Sequence, residues 1–189
     1  AIGRSSNRAE SSRLRVVPDI DYVGDGNPRH RLTLALPRAS SAERLLPIIV
    51  YIHGGAWLEG DHHQGVEAIR SLVGTGRFIG ASIGYRVTGE AGWPAQIHDC
   101  KAAIRWIRAN AVSLGVDPER IAVMGHSAGG HLSAMLGLAG SPENGLDGEL
   151  GPHTGVSSRV AVAINFFGPS DLLSMQSQMP LDGVIQHDA

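Results

Sequence analysis

The sequence predicts an α/β domain, a mostly parallel sheet with helices on both faces. Three observations predict it. Short, continuously apolar runs rich in β-branched residues recur at Ile48–Ile52, Phe78–Ile83, Ile121–Met124 and Val160–Ile164, the composition of strands buried on both faces. Segments with apolar residues three and four apart separate them, which is helical spacing. Glycine is in excess, with 25 in 189 residues, and it clusters where two of the runs end.

Each element follows in order. Ala1 to Arg15 is polar, with Ser5, Ser6, Ser11 and Ser12 among Arg4, Arg8, Arg13 and Arg15, and has no apolar core of a targeting segment. Residues 1–30 are expected to hold this polar segment and a first strand region, and residues 31–189 the core. Leu32, Leu34 and Leu36 alternate with Thr33 and Ala35 until Pro37, an early or edge strand. Pro47 opens the run Ile48–Ile52. Val66, Ile69 and Val73 then mark a short amphipathic helix within His62–Val73, and Phe78–Ile83 reads as the next strand.

The clearest helix starts after Trp93-Pro94, with Pro94 suited to a first turn. Ile97, Cys100, Ile104, Ile107 and Ala111 form its apolar face, with Lys101, Arg105 and Arg108 largely off it. It ends near Leu114-Gly115, and Asp117-Pro118 turns the chain back into the strand Ile121–Met124. A second helix carries Leu132, Met135, Leu136 and Ala139 on one face. Ser141 to Ser158, rich in Gly and containing Pro142 and Pro152, reads as a loop, and Val160–Ile164 as a last strand.

Composition excludes several classes. Lys+Arg 16 against Asp+Glu 18 gives a net charge of −2, no electrostatic footprint for nucleic acid. Cys100 is the single cysteine, so no internal disulfide forms. No apolar run approaches the ~20 residues that span a bilayer, so the chain reads as soluble, without a membrane span. With no P-loop and no G-x-G-x-x-G after a strand, no nucleotide cofactor is expected. His62-His63 beside Asp61 lacks the spacing of common metal motifs, so no metal is expected and the pair reads as a solvated helix start.

Two glycine loops carry the chemistry. Gly125-His126-Ser127-Ala128-Gly129 matches G-x-S-x-G, a strand-to-helix elbow that exposes a strained nucleophilic serine. Glycines two positions to either side let the turn pass close to neighbouring strands. His53-Gly54-Gly55-Ala56-Trp57 follows the strand Ile48–Ile52, and a small-residue loop there exposes backbone N–H groups able to bind a developing oxyanion. Trp57 and Trp93 follow loops at the sheet's carboxyl edge and could wall a substrate cleft, with apolar anchoring as the equal alternative. His126 is a second pocket-lining candidate, with a packed structural role as its alternative.

With these residues the chain resembles α/β-hydrolase-fold serine esterases, in the branch of hormone-sensitive-lipase-like esterases and bacterial carbohydrate or feruloyl esterases. The resemblance rests on Tyr51 to Trp57 with Gly60-Asp61, on Gly84-Tyr85-Arg86, on Pro94-Ala95 leading to Asp99, and on Gly125 to Leu132. It spans about Arg31 to Leu173. It implies Ser127 as nucleophile and the amides of Gly55, Ala56 and Ala128 as the oxyanion hole; Ala56 stands where many relatives have a third glycine. It also implies a small ester substrate and no cofactor.

The fold's triad order is Ser, then Asp or Glu, then His. Asp171 with His187 has that order, but Asp171 follows the wrong strand and resembles a structural Asp of the family. Asp182 and His187 are too close in sequence for two separate loops, and His131 rides on the helix leaving the elbow. The expectation is a fold truncated before its last strands, with acid and His beyond residue 189, so that the 189-residue chain alone is inactive. The alternatives are a non-catalytic binding protein of the same fold, or a peptidase or amidase.

Overall fold

The computed structural model describes residues 14–38, 44–140 and 145–178. The polar segment Ala1–Arg13, the start of the Ser141–Ser158 loop, and Asp182 and His187 lie outside the described residues.

The β-branched run after Pro47 builds β3 (Leu46–Ile52), and the other runs assemble around it. In chain order the elements are β1 (Leu14–Asp21), β2 (Arg31–Pro37), β3, α1 (Gly65–Gly74), β4 (Ile79–Ile83), α2 (Ala95–Ala109), α3 (Ala111–Leu114), β5 (Val116–His126), α4 (Ala128–Leu138), β6 (Val162–Phe166) and α5 (Met175–Gln178). They form one sheet in the order β1-β2-β4-β3-β5-β6. β1, β2 and β4 pair antiparallel, and β4, β3, β5 and β6 run parallel. Among the described residues no helix is long and apolar enough to cross a membrane.

The alternation of strand side chains divides the core in two. Ile49, Tyr51 and Ala35 face α1, which seals them with Ile69 and Val73. Ile48, Val50, Ile52, Ile83 and Val123 face the other way, under Ile97, Cys100, Ile104 and Ile107 of α2 and Leu132 and Leu136 of α4. Helices therefore cover both faces, as the run composition predicts.

Four expectations are corrected. β2 is not an edge strand: β1 pairs along its outer side, so Leu32 through Ala35 are all buried. Pro18 of β1 is tolerated because β1 is itself an edge. Lys101 and Arg105 do not lie in solvent, since residues 145–159 fold over α2 and leave them 0% and 2% exposed. Lys101 Nζ donates to Ala139 O and to Asp147 Oδ1, each at 2.5 Å, while the Arg105 guanidinium donates to the carbonyls of Asp147 and Leu150 at 2.7 and 3.0 Å. β5 begins before the Asp117-Pro118 turn and absorbs it as a register irregularity between its pairings with Leu46 and Ile48. β6 lies two residues later than the apolar run suggests, because Val160 packs on the core and Ala161 N donates to Ile121 O at 2.8 Å. Among the described residues β6 pairs only with β5, and Val162, Ile164 and Phe166 are 50%, 40% and 44% exposed.

Candidate active site

β5 delivers the chain to Ser127, and α4 carries it away at once. The turn forces Ser127 to φ +53° and ψ −124°, a region that costs a non-glycine residue ~1–3 kcal/mol. Two neighbours permit it. A Cβ on Gly125 would stand 2.6 Å from Ile52 O, and one on Gly129 would stand 2.5 Å from His53 O. Both separations are below van der Waals contact, so the elbow presses on the end of β3 only with glycine there. Ser127 N donates to Phe166 O at 3.0 Å, which ties the turn to β6. The hydroxyl has no hydrogen-bond partner among the described residues.

The second loop stands beside it. Gly55, Ala56 and Trp57 take successive positive φ of +104°, +51° and +60°. Gly55 O is occupied, accepting from the amides of Leu58 and Glu59 at 2.8 and 3.1 Å, whereas the Gly55 and Ala56 amides have no acceptor among the described residues. Successive N–H groups in such a turn make an anion-binding concavity. The Ala128 amide is the first of α4 and lacks an intrahelical acceptor, as the first N–H groups of every helix do.

His126 joins the two loops. Its Nδ1 lies 2.5 Å from Tyr51 Oη, and a Cβ on Gly54 would come 2.8 Å from its Nε2. Phe167 flanks the ring at 6.1 Å. Trp57 and Trp93 meet at His131, in the first turn of α4. Trp57 stands edge-on at 5.3 Å and Trp93 tilted at 5.8 Å. Sequence reasoning set His131 aside, and only the tertiary structure makes it the ring between both tryptophans. Its Nδ1 is buried without a hydrogen-bond partner among the described residues, and that burial pushes its pKa down.

A support runs behind the small-residue loop. The Asp99 carboxylate, fully buried, accepts from the Arg86 guanidinium at 2.6 and 2.9 Å and from Arg86 N at 2.8 Å. This pins the Gly84-Tyr85-Arg86 segment to α2. Tyr85 stacks on His53 at 4.2 Å and donates its hydroxyl to His53 O at 3.0 Å. Burial pushes His53 down to about 4, so the ring at the root of the loop is neutral.

Asp171 is exposed and accepts from Ser174 N at 3.3 Å, a turn-capping contact. Of the His62-His63 pair, His63 is exposed just before α1, as a solvated helix start implies, and His62 is not. His62 is 4% exposed and faces Asp19 rather than Asp61. No sequence signal near either residue could reveal that partner, which lies more than forty positions away on β1.

Known proteins resemble this chain in sequence and fold. The BD-FAE family model matches residues 32–188. Esterase LipC of Mycobacterium tuberculosis is 41% identical over 118 residues, 61% of this chain and 29% of LipC. A truncated carbohydrate esterase from gut microbiota superposes with a TM-score of 0.75 at 32% identity, over 86% of this chain and 59% of that one. Esterase 2 of Thermogutta terrifontis, phosphorylated by paraoxon, superposes with a TM-score of 0.67 at 28% identity, over 89% of this chain and 62% of that one. The chain spans about a third of the length of the curated relatives it matches.

Proposed function

The chain belongs to the BD-FAE family, with the fold of α/β-hydrolase serine esterases, and on that premise we propose that Ser127 is the nucleophile of a carboxylic-ester hydrolase. The observation that carries the reading is the strained φ of Ser127 between β5 and α4, facing a loop of left-handed residues with free amides.

The Ser127 hydroxyl attacks the ester carbonyl, and its proton passes to a base. The tetrahedral intermediate places its negative oxygen on the amides of Gly55, Ala56 and Ala128, where the N-terminal end of α4 adds favourable potential. Collapse expels the alcohol and leaves an acyl-enzyme, which water hydrolyses to acid and free serine. The base and its orienting acid come from outside the described residues, because Asp171 serves a turn and His131 shares the nucleophile's own helix. Trp57 and His126 flank the space for a small ester.

A fluorophosphonate probe tests this in preparations that hydrolyse p-nitrophenyl esters. The expected adduct is on Ser127, with loss of turnover in proportion to labelling. An adduct on another residue with Ser127 unmodified overturns the assignment.

A further inference from the structure

Three ligating side chains from distant parts of the sequence meet at the β1 side of the sheet. Asp19 comes from β1 and His62 and His63 from the segment leading into α1, with one ligand atom of each within 4.8 Å of the others. His62 Nε2 stands 3.4 Å and His63 Nε2 3.6 Å from Asp19 Oδ1. Both are longer than the ~2.7–3.2 Å of an N–H···O bond. They match instead the ~3.4 Å edge of a tetrahedron with bonds of about 2.1 Å, the length of Zn²⁺ bonds to imidazole nitrogen and carboxylate oxygen.

The surroundings hold this geometry. Asp19 has φ +58° and sits in the register irregularity between Val17 and Ile20, a bulge that re-aims its side chain out of the strand's alternation. Thr33 Oγ1, buried in β2, lies 2.9 Å from His62 Nδ1. A ring that donates Nδ1–H to that oxygen presents its Nε2 lone pair to Asp19, the outer partner that metal-bound histidines use. The side chains of His63 and Asp19 are 55% and 49% exposed, so a fourth position opens to water.

We propose that Asp19, His62 and His63 form a site for a borderline divalent transition-metal ion, Zn²⁺ first, with solvent as the fourth ligand. Two imidazoles and one carboxylate suit zinc and not the oxygen-seeking Mg²⁺ or Ca²⁺. The ion cross-links β1 to the entrance of α1, two segments that otherwise meet through side chains. Arg31 Nη1, 3.9 Å from the same Asp19 oxygen, competes with it for the carboxylate.

Calorimetric titration of ZnCl₂ into the chelator-treated full chain tests the site, with thermal melting on the same samples. One ion per chain is expected, with a melting temperature that rises as zinc saturates, and MgCl₂ produces neither effect. Asp19→Asn and the exposed His63→Ala each weaken binding tenfold or more, and Thr33→Val weakens it about 10–100-fold as an outer-partner loss. Arg31→Gln tightens it by removing the competitor. Zinc affinity unchanged in both Asp19→Asn and His63→Ala, or no zinc binding by the wild type, overturns the proposal.

Discussion

The Tyr51 hydroxyl and His126 Nδ1 lie 2.5 Å apart, so the ends of β3 and β5 are joined by a side-chain bond one residue before Ser127. The backbone registers already pair Tyr51 with Met124 and Ile52 with Gly125. The side-chain bond extends that alignment to the position where the strands diverge into the two glycine loops. Tyr51→Phe leaves a half-buried nitrogen without this partner, at a cost of about 1–3 kcal/mol. Thermal unfolding with ester kinetics on the same variant checks it: the melting temperature falls, and kcat falls more than KM rises. A variant with wild-type kcat denies the bond a positioning role.

The backbone of Ala56 shapes a second expectation. At φ +51° glycine is the better residue, so Ala56→Gly keeps activity and gains a few tenths of a kcal/mol or more. Proline, fixed near −65°, fits neither the conformation nor the donor role. Ala56→Pro therefore loses at least the ~10²–10³ in kcat of one oxyanion donor. Steady-state kinetics of the two variants checks both signs.

Turning to Ser127 itself, Ser127→Ala loses on the order of 10⁶ in kcat, the typical effect of removing such a nucleophile. The melting temperature stays the same or rises, because the strained turn keeps its backbone. Retention of a tenth of wild-type turnover refutes the role.

Close backbone approach separates the elbow's Gly129 from the helix-end Gly74. Gly129→Ala drives a Cβ into His53 O and unfolds or misfolds the domain. Gly74, at the end of α1, has nothing within 4 Å of an added Cβ, so Gly74→Ala is neutral or stabilising by up to ~1 kcal/mol. Soluble yield and denaturant midpoints of the pair measure the contrast.

Stability varies with pH through His30 and Asp99. Burial alone would push His30 down, but the Asp99 carboxylate, 3.4 Å from its Nε2, and Asp25, 2.8 Å from its Nδ1, outweigh it and hold its pKa above the ordinary histidine value. Burial likewise pushes Asp99 up, and His30 and Arg86 outweigh it, holding the carboxyl below its ordinary value. The His30 contribution is complete below about pH 6.5 and fades as pH rises through its folded pKa. The Asp99 contribution is complete above about pH 4 and fades on acidification through its folded pKa. His30→Gln should flatten the decline above neutrality and, because His30 also holds Asp99 down, shrink the acid limb to the part that Arg86 supports. Urea midpoints from pH 3 to 9 distinguish the two limbs, and an unchanged alkaline decline in His30→Gln refutes the assignment.

What the sequence determined by itself is local. The β-branched runs specify β3, β4 and β5 because strand burial is written in consecutive residues. The elbow at Ser127 and the loop at Gly54-Gly55 are legible for the same reason: backbone conformation and glycine requirement are set within a few positions. Tertiary structure decided what depends on distant chain. Lys101 and Arg105 read as lying largely off the helix's apolar face, and only the 145–159 segment, some forty residues on, buries them and gives them partners. β2 reads as either an early or an edge strand, and only the pairing of β1 along it excludes the edge. Asp19 reaches His62, and both tryptophans reach His131, across separations with no periodicity to reveal them. Such pairings arise from how the sheet orders its strands, a property of the whole chain and not of any window within it.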